Sequence, residues 1–75
     1  MELGELVKNV MGDLMRGMPE HMPSTISVDG GNGEARYAIS QELHKRTGAE
    51  ILEECPGVYS ISLDFFIKKY DPSFC

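Results

Sequence analysis

Tryptophan is absent from this chain of 75 residues, cysteine occurs twice, and seven lysines and arginines stand against twelve acidic residues. Each shortage excludes something. Two cysteines, Cys55 and Cys75, allow at most one internal disulfide, and Cys75 ends the sequence where a terminus frays, so no disulfide framework can support the fold. A reduced, cytoplasmic protein is the expectation. With a net charge of −5, the chain repels phosphate backbones and anionic lipid alike. Its cations include two short pairs, Lys45 with Arg46 and Lys68 with Lys69, rather than a basic stripe with interleaved aromatics. Neither nucleic acid nor a membrane surface is expected as a partner. No uninterrupted apolar run is long enough to span a bilayer, and no basic segment followed by an apolar core and a cleavage site marks a leader.

What is present reads as a single folded domain over residues 1–75. The composition is 41% hydrophobic and 25% charged, with no repeat or biased tract. A domain near this size buries only about 60% of the surface its unfolded chain exposes. Such a core needs reinforcement, by a disulfide, a metal or a second chain.

Periodicity supplies the elements. Leu3, Leu6, Val7, Val10, Met11, Leu14, Met15 and Met18 recur at helical spacing, opposite Glu2, Glu5, Lys8, Asn9, Asp13 and Arg16. Gly17 and Pro19 end this helix, and the connector "MPEHMP" at 18–23 cannot continue it because of its two prolines. Thr25–Asp29 alternates Ile26 and Val28 inward with Thr25, Ser27 and Asp29 outward, as a half-buried strand does. Residues 33–47 fit either period, and the end signals decide for a helix. Asn32 is placed to cap it, Glu34 lies in its first turn, His44, Lys45 and Arg46 lie in its last, and Gly48 follows. Ile51 and Leu52 mark a second strand, ending at Cys55-Pro56-Gly57. Tyr59, Ile61, Leu63, Phe65 and Ile67 then alternate with polar residues and Phe66, predicting one long strand paired to it as a hairpin. The expected architecture is an α+β two-layer sandwich in the order α-β-α-β-β. Two helices cover one face of a small three-stranded mixed sheet with the longest strand in the middle.

Little in this sequence carries chemistry. The stretch "SVDGGNGEAR" places a strand, a glycine loop and a helix start in the order that phosphate-binding loops use, and Gly30, Gly31, Asn32, Gly33 and Arg36 are its candidate anion contacts. The match is partial. Arg36 stands where a dinucleotide fingerprint has its last glycine, no Lys-Ser or Lys-Thr follows, and Asp29 and Glu34 flank the loop with negative charge. The glycines are therefore read first as a tight strand-to-helix turn. Asp29, Asn32 and Glu34 lack the ligand spacing of a calcium loop. His21, His44, Cys55 and Cys75 are too scattered to preorganise zinc. Cys55 has no base or helix start beside it to activate the thiol. Glu42 and Arg46, four residues apart, read as a boundary ion pair rather than a catalytic acid. No metal, cofactor or catalytic residue is assigned.

The first helix remains. Its apolar side is broader than one sheet face requires, and Met11, Met15 and Met18 lie at its margin, where flexible thioethers suit an exchangeable surface. These three are the candidate partner-binding residues. The function expected is that of a small acidic protein-binding module, a regulator, inhibitor or accessory subunit, acting as a homodimer. The alternative is a binder of phosphate or nucleotide through Gly30–Gly33.

Overall fold

Five residues of the first apolar stripe, Leu6, Val7, Val10, Met11 and Leu14, are buried on one side of a helix that spans Leu3–Arg16, α1. A computed structural model describes residues 1–55, 57 and 59–74 of the chain. The elements that follow α1 are β1 (Thr25–Asp29), α2 (Gly33–Thr47), β2 (Glu50–Glu53), β3 (Ser60–Ser62), α3 (Leu63–Tyr70) and a 3-10 turn at Pro72–Phe74. The content is mixed helix and strand, as expected. The arrangement of the last third is not.

Helix α2 forms where the end signals put it. The Asn32 side chain accepts a hydrogen bond from the Ala35 amide at 2.8 Å, satisfying one of the donors that every helix start leaves open. At the other end Gly48 adopts a left-handed φ of 75° and donates to the His44 carbonyl at 2.8 Å. Ala35, Ile39 and Leu43, spaced four apart, form its buried stripe.

The sheet corrects the expectation of a mixed sheet with a hairpin. Its order is β2-β1-β3, and both pairings of β1 are parallel: Thr25 is opposite Glu50 in β2, and Ser27 is opposite Ser60 in β3. β2 and β3 lie on opposite sides of β1, so they are not paired with each other. The chain leaves β2 through Glu54, at a positive φ of 55°, and crosses to the far edge. Glu54 donates its amide to the Val28 carbonyl at 2.8 Å, and the Ser27 amide donates to the Tyr59 carbonyl at 2.9 Å. Part of the expected turn, Pro56, lies outside the described residues. The crossing also explains why Ser27, read as outward, is buried: a Cβ on Gly57 would stand 3.1 Å from that of Ser27. Covered by the core on its Ile26 and Val28 side and by the crossing chain on the other, β1 is the strand suited to the centre.

The second correction is α3. The predicted long strand stops at Ser62, and the chain turns helical at Leu63. Leu63 and Ile67, one turn apart, are fully buried, Phe66 is partly buried against the core, and Phe65 is 74% exposed. Strict alternation had put Phe65 inside and Phe66 outside. Three helices, not two, therefore share one core with Ile26, Val28 and Ile61. Among the described residues no helix is long and apolar enough to cross a membrane.

Candidate functional site at the carboxyl end of the sheet

In an open parallel sheet, ligands bind beyond the carboxyl ends of the strands, at the point where successive connections leave toward opposite sides. Here that point lies between β1 and β3. From β1 the chain passes through α2 to β2 on one side, while β3 occupies the other. At the end of β1 comes the glycine loop, and at the end of β3 comes the first turn of α3.

The two ends touch. The Gly31 amide donates to Oδ1 of Asp64 at 2.6 Å, a short charge-assisted bond across 33 positions of sequence. Gly30 and Gly31 hold φ values of 87° and 65°, the left-handed region that glycine enters without a Cβ penalty. Space is as demanding as conformation. A Cβ at Gly30 would come within 2.8 Å of the Asp64 carboxyl group, and one at Gly31 within 2.7 Å of the Ile67 Cδ1. Gly33 differs, since it is the first residue of α2 and has no positive φ.

Arg36 closes the loop from the other side. Its Nη1 donates to the carbonyls of Gly30 and Gly31 at 3.1 and 3.4 Å, while Nη2 pairs with Glu54 at 3.0 Å and Nε lies 3.6 Å from Glu53. The guanidinium thus ties the loop to the end of β2. The carboxylates it meets are Glu53 and Glu54. All five predicted anion contacts, Gly30, Gly31, Asn32, Gly33 and Arg36, belong to this one loop and helix start. An open recess of about 270 Å³ adjoins it, lined by Ser27, Asp29, Glu54, Ser60, Ile61 and Ser62.

Asp64 is the site residue that sequence reasoning missed. Its signal was an acid two places after Ser62, followed by Lys68 and Lys69, the same charge order that identified α2. Period-two alternation over the same residues hid it.

The predicted partner-binding residues separate. Met11 is fully buried, which removes it from any surface; Met15 and Met18 are partly buried against the core. The breadth of the α1 stripe has an internal cause, because α1 packs against α3 as well as α2. Met18 also lines a groove of about 350 Å³ along the β3 edge, with Leu14, Tyr59, Phe65 and Phe66. Elsewhere, Arg46 lies 3.6 Å from Glu42 as the four-residue spacing implies, and the His44 ring nitrogen Nδ1 lies 2.7 Å from the Ala49 carbonyl oxygen. Cys55 is exposed with a free thiol; Cys75 lies outside the described residues. No family model, curated protein or solved structure matches the chain.

Proposed function

We propose that this protein binds a small phosphate-bearing ligand at the carboxyl end of its sheet, through the Gly30–Gly33 loop and the start of α2. The observation that carries the proposal is the Gly31–Asp64 hydrogen bond: the loop already holds an anionic oxygen at the topological switch point. The helix dipole and the open first-turn amides of α2 favour negative charge at the same place. The parallel sheet is what raises this reading above that of a plain turn, because a hairpin would have left no switch point at the end of β1. Asp29, Glu34 and Asp64 oppose a bare anion, so a nucleotide carrying a divalent cation is favoured over free phosphate. The test is a titration with ATP and magnesium followed by amide resonances. Saturable shifts at Gly31, Asn32 and Gly33, weakened in Arg36→Ala, are expected; resonances unmoved at millimolar ligand reduce the glycines to a turn.

A second reading, a protein-binding module acting as a homodimer, is favoured by a different observation. Phe65 stands 74% exposed at the mouth of the apolar groove beside the edge strand β3. An exposed aromatic next to an open strand edge suits recognition of another chain.

A further inference from the structure

We infer that the outer edge of β2 takes an extended, basic segment of another protein as an added strand, at a site separate from both of those above. Glu50 donates its amide to the Ser24 carbonyl, and Glu54 donates its own to that of Val28. In a parallel pair successive residues alternate between facing the neighbour and facing away, so the amides and carbonyls of Ile51 and Glu53 point outward from β1. β2 ends the sheet on that side. Its sequence, Glu-Ile-Leu-Glu, has none of the prolines or lysines that blunt such an edge.

Beside this edge α2 supplies a wall. Tyr37, Ser40, Gln41 and His44 follow one another along one side of the helix and, with Ile51, line a recess of about 590 Å³. The His44 Nδ1 lies 2.7 Å from the Ala49 carbonyl oxygen, which can only accept, so Nδ1 carries the proton and the neutral ring offers Nε2 as an acceptor. Ser40 is 7% exposed, and among the described residues its hydroxyl has no hydrogen-bond partner; a rotation toward the recess gives it one once the recess is filled. Charge selects the occupant. Glu50 and Glu53 are exposed at the rim, and among the described residues none that lines the recess is a lysine or arginine. A second copy of the chain would set glutamate-ended strands against each other, and like charges laid opposite destabilise a strand pair. Lysines or arginines on an extended segment meet those carboxylates instead, while its backbone takes the free groups of Ile51 and Glu53.

The probes are a heptapeptide of alternating lysine and valine, blocked at both ends, and its glutamate–valine counterpart. The lysine peptide should move the Ile51 and Glu53 amide protons downfield in a saturable way and slow their exchange with solvent, because each gains a hydrogen bond. It should bind about tenfold more tightly than the glutamate peptide, an advantage that shrinks with added salt. Glu50→Lys should remove most of that advantage. Glu5→Lys, the same change of net charge at a residue that does not line the recess, should keep most of it. Ile51 and Glu53 amides unmoved by millimolar lysine peptide overturn the inference, as do shifts confined to Ser60 and Ser62, which place the added strand on β3. Equal affinity for the two peptides overturns the basic partner. Ile51 and Glu53 amides already protected in a wild type of twice the monomer mass show a second copy on this edge, and overturn it too. Should Glu50→Lys fail to fold, the two peptides compared on the wild type decide alone.

Discussion

The hydroxyl of Tyr70 donates to the carboxylate of Asp13 at 2.7 Å, joining α3 to α1 across 57 positions of sequence. Lys69 reaches the same oxygen at 3.1 Å, and Arg16 pairs with the other. The Tyr70 hydrogen bond is the main reason that Asp13 titrates below the ordinary aspartate value of 3.8, with Lys69 and Arg16 adding to it against partial desolvation. A carboxylate that binds its proton less readily folded than unfolded stabilises the fold above its unfolded value. That contribution disappears as pH falls through the lowered one. The melting temperature should accordingly drop more steeply below about pH 4 in the wild type than in Asp13→Asn. Parallel curves would show that the cluster adds nothing to folding.

Substitution along the loop should separate the glycines by conformation. At Gly30 and Gly31 alanine meets both a positive φ and a neighbour closer than 3 Å, so each change should destabilise by about 1–3 kcal/mol. Gly33→Ala should be neutral or slightly stabilising, since its nearest neighbour is the Arg36 Nη2 at 3.7 Å and alanine suits a helix. Denaturant melts of the three variants decide it. Equal tolerance at all three positions contradicts the loop geometry.

Sequence reasoning succeeded where local chemistry and burial agree. The Asn32 cap and the left-handed Gly48 gave α2 its ends, and the wide stripe of α1 was read from spacing alone. It failed where one run of residues satisfies two periods. Leu63, Phe65 and Ile67 alternate like a strand, but Leu63, Phe66, Ile67 and Tyr70 follow a helix, and only Asp64 with Lys68 and Lys69 distinguishes the two. That misreading hid three things together. It removed α3, it made the breadth of α1 look like a surface for another chain, and it turned a parallel edge strand into half of a hairpin. The loop residues were legible; the carboxylate opposite them was not, because only tertiary packing brings Asp64 to Gly31.

The strand and helix readings of residues 63–67 both bury Leu63 and make opposite demands at Phe65. In α3 Leu63 is fully buried, so Leu63→Ala should cost about 2–5 kcal/mol, enough to unfold much of a domain this small. Phe65→Ala removes a large side chain that is mostly exposed and sits edge-on to Phe66, with ring centroids 5.3 Å apart, and should change stability by about 0.5 kcal/mol or less. An inward-facing strand residue would cost several times that. Calorimetry on Phe65→Ala, with Leu63→Ala as the buried reference, distinguishes helix from strand without a further structure.

Phe65 also tests the homodimer reading. A monomer gains nothing from an aromatic ring held mainly in water, beside a groove of Leu14, Met18, Tyr59 and Phe66 and an edge strand. If the protein acts as a homodimer through this face, light scattering at micromolar concentration should report twice the monomer mass. Phe65→Ser should return it to monomer with its melting temperature unchanged, because the residue is not part of the core. Met15→Glu is the less discriminating change: Met15 packs against the core, so a charge there lowers stability whether or not a partner binds. A wild type that stays monomeric up to millimolar concentration, with Phe65→Ser indistinguishable from it, excludes a second copy. The loop at the end of β1 and the outer edge of β2 are then left as the surfaces to test for function.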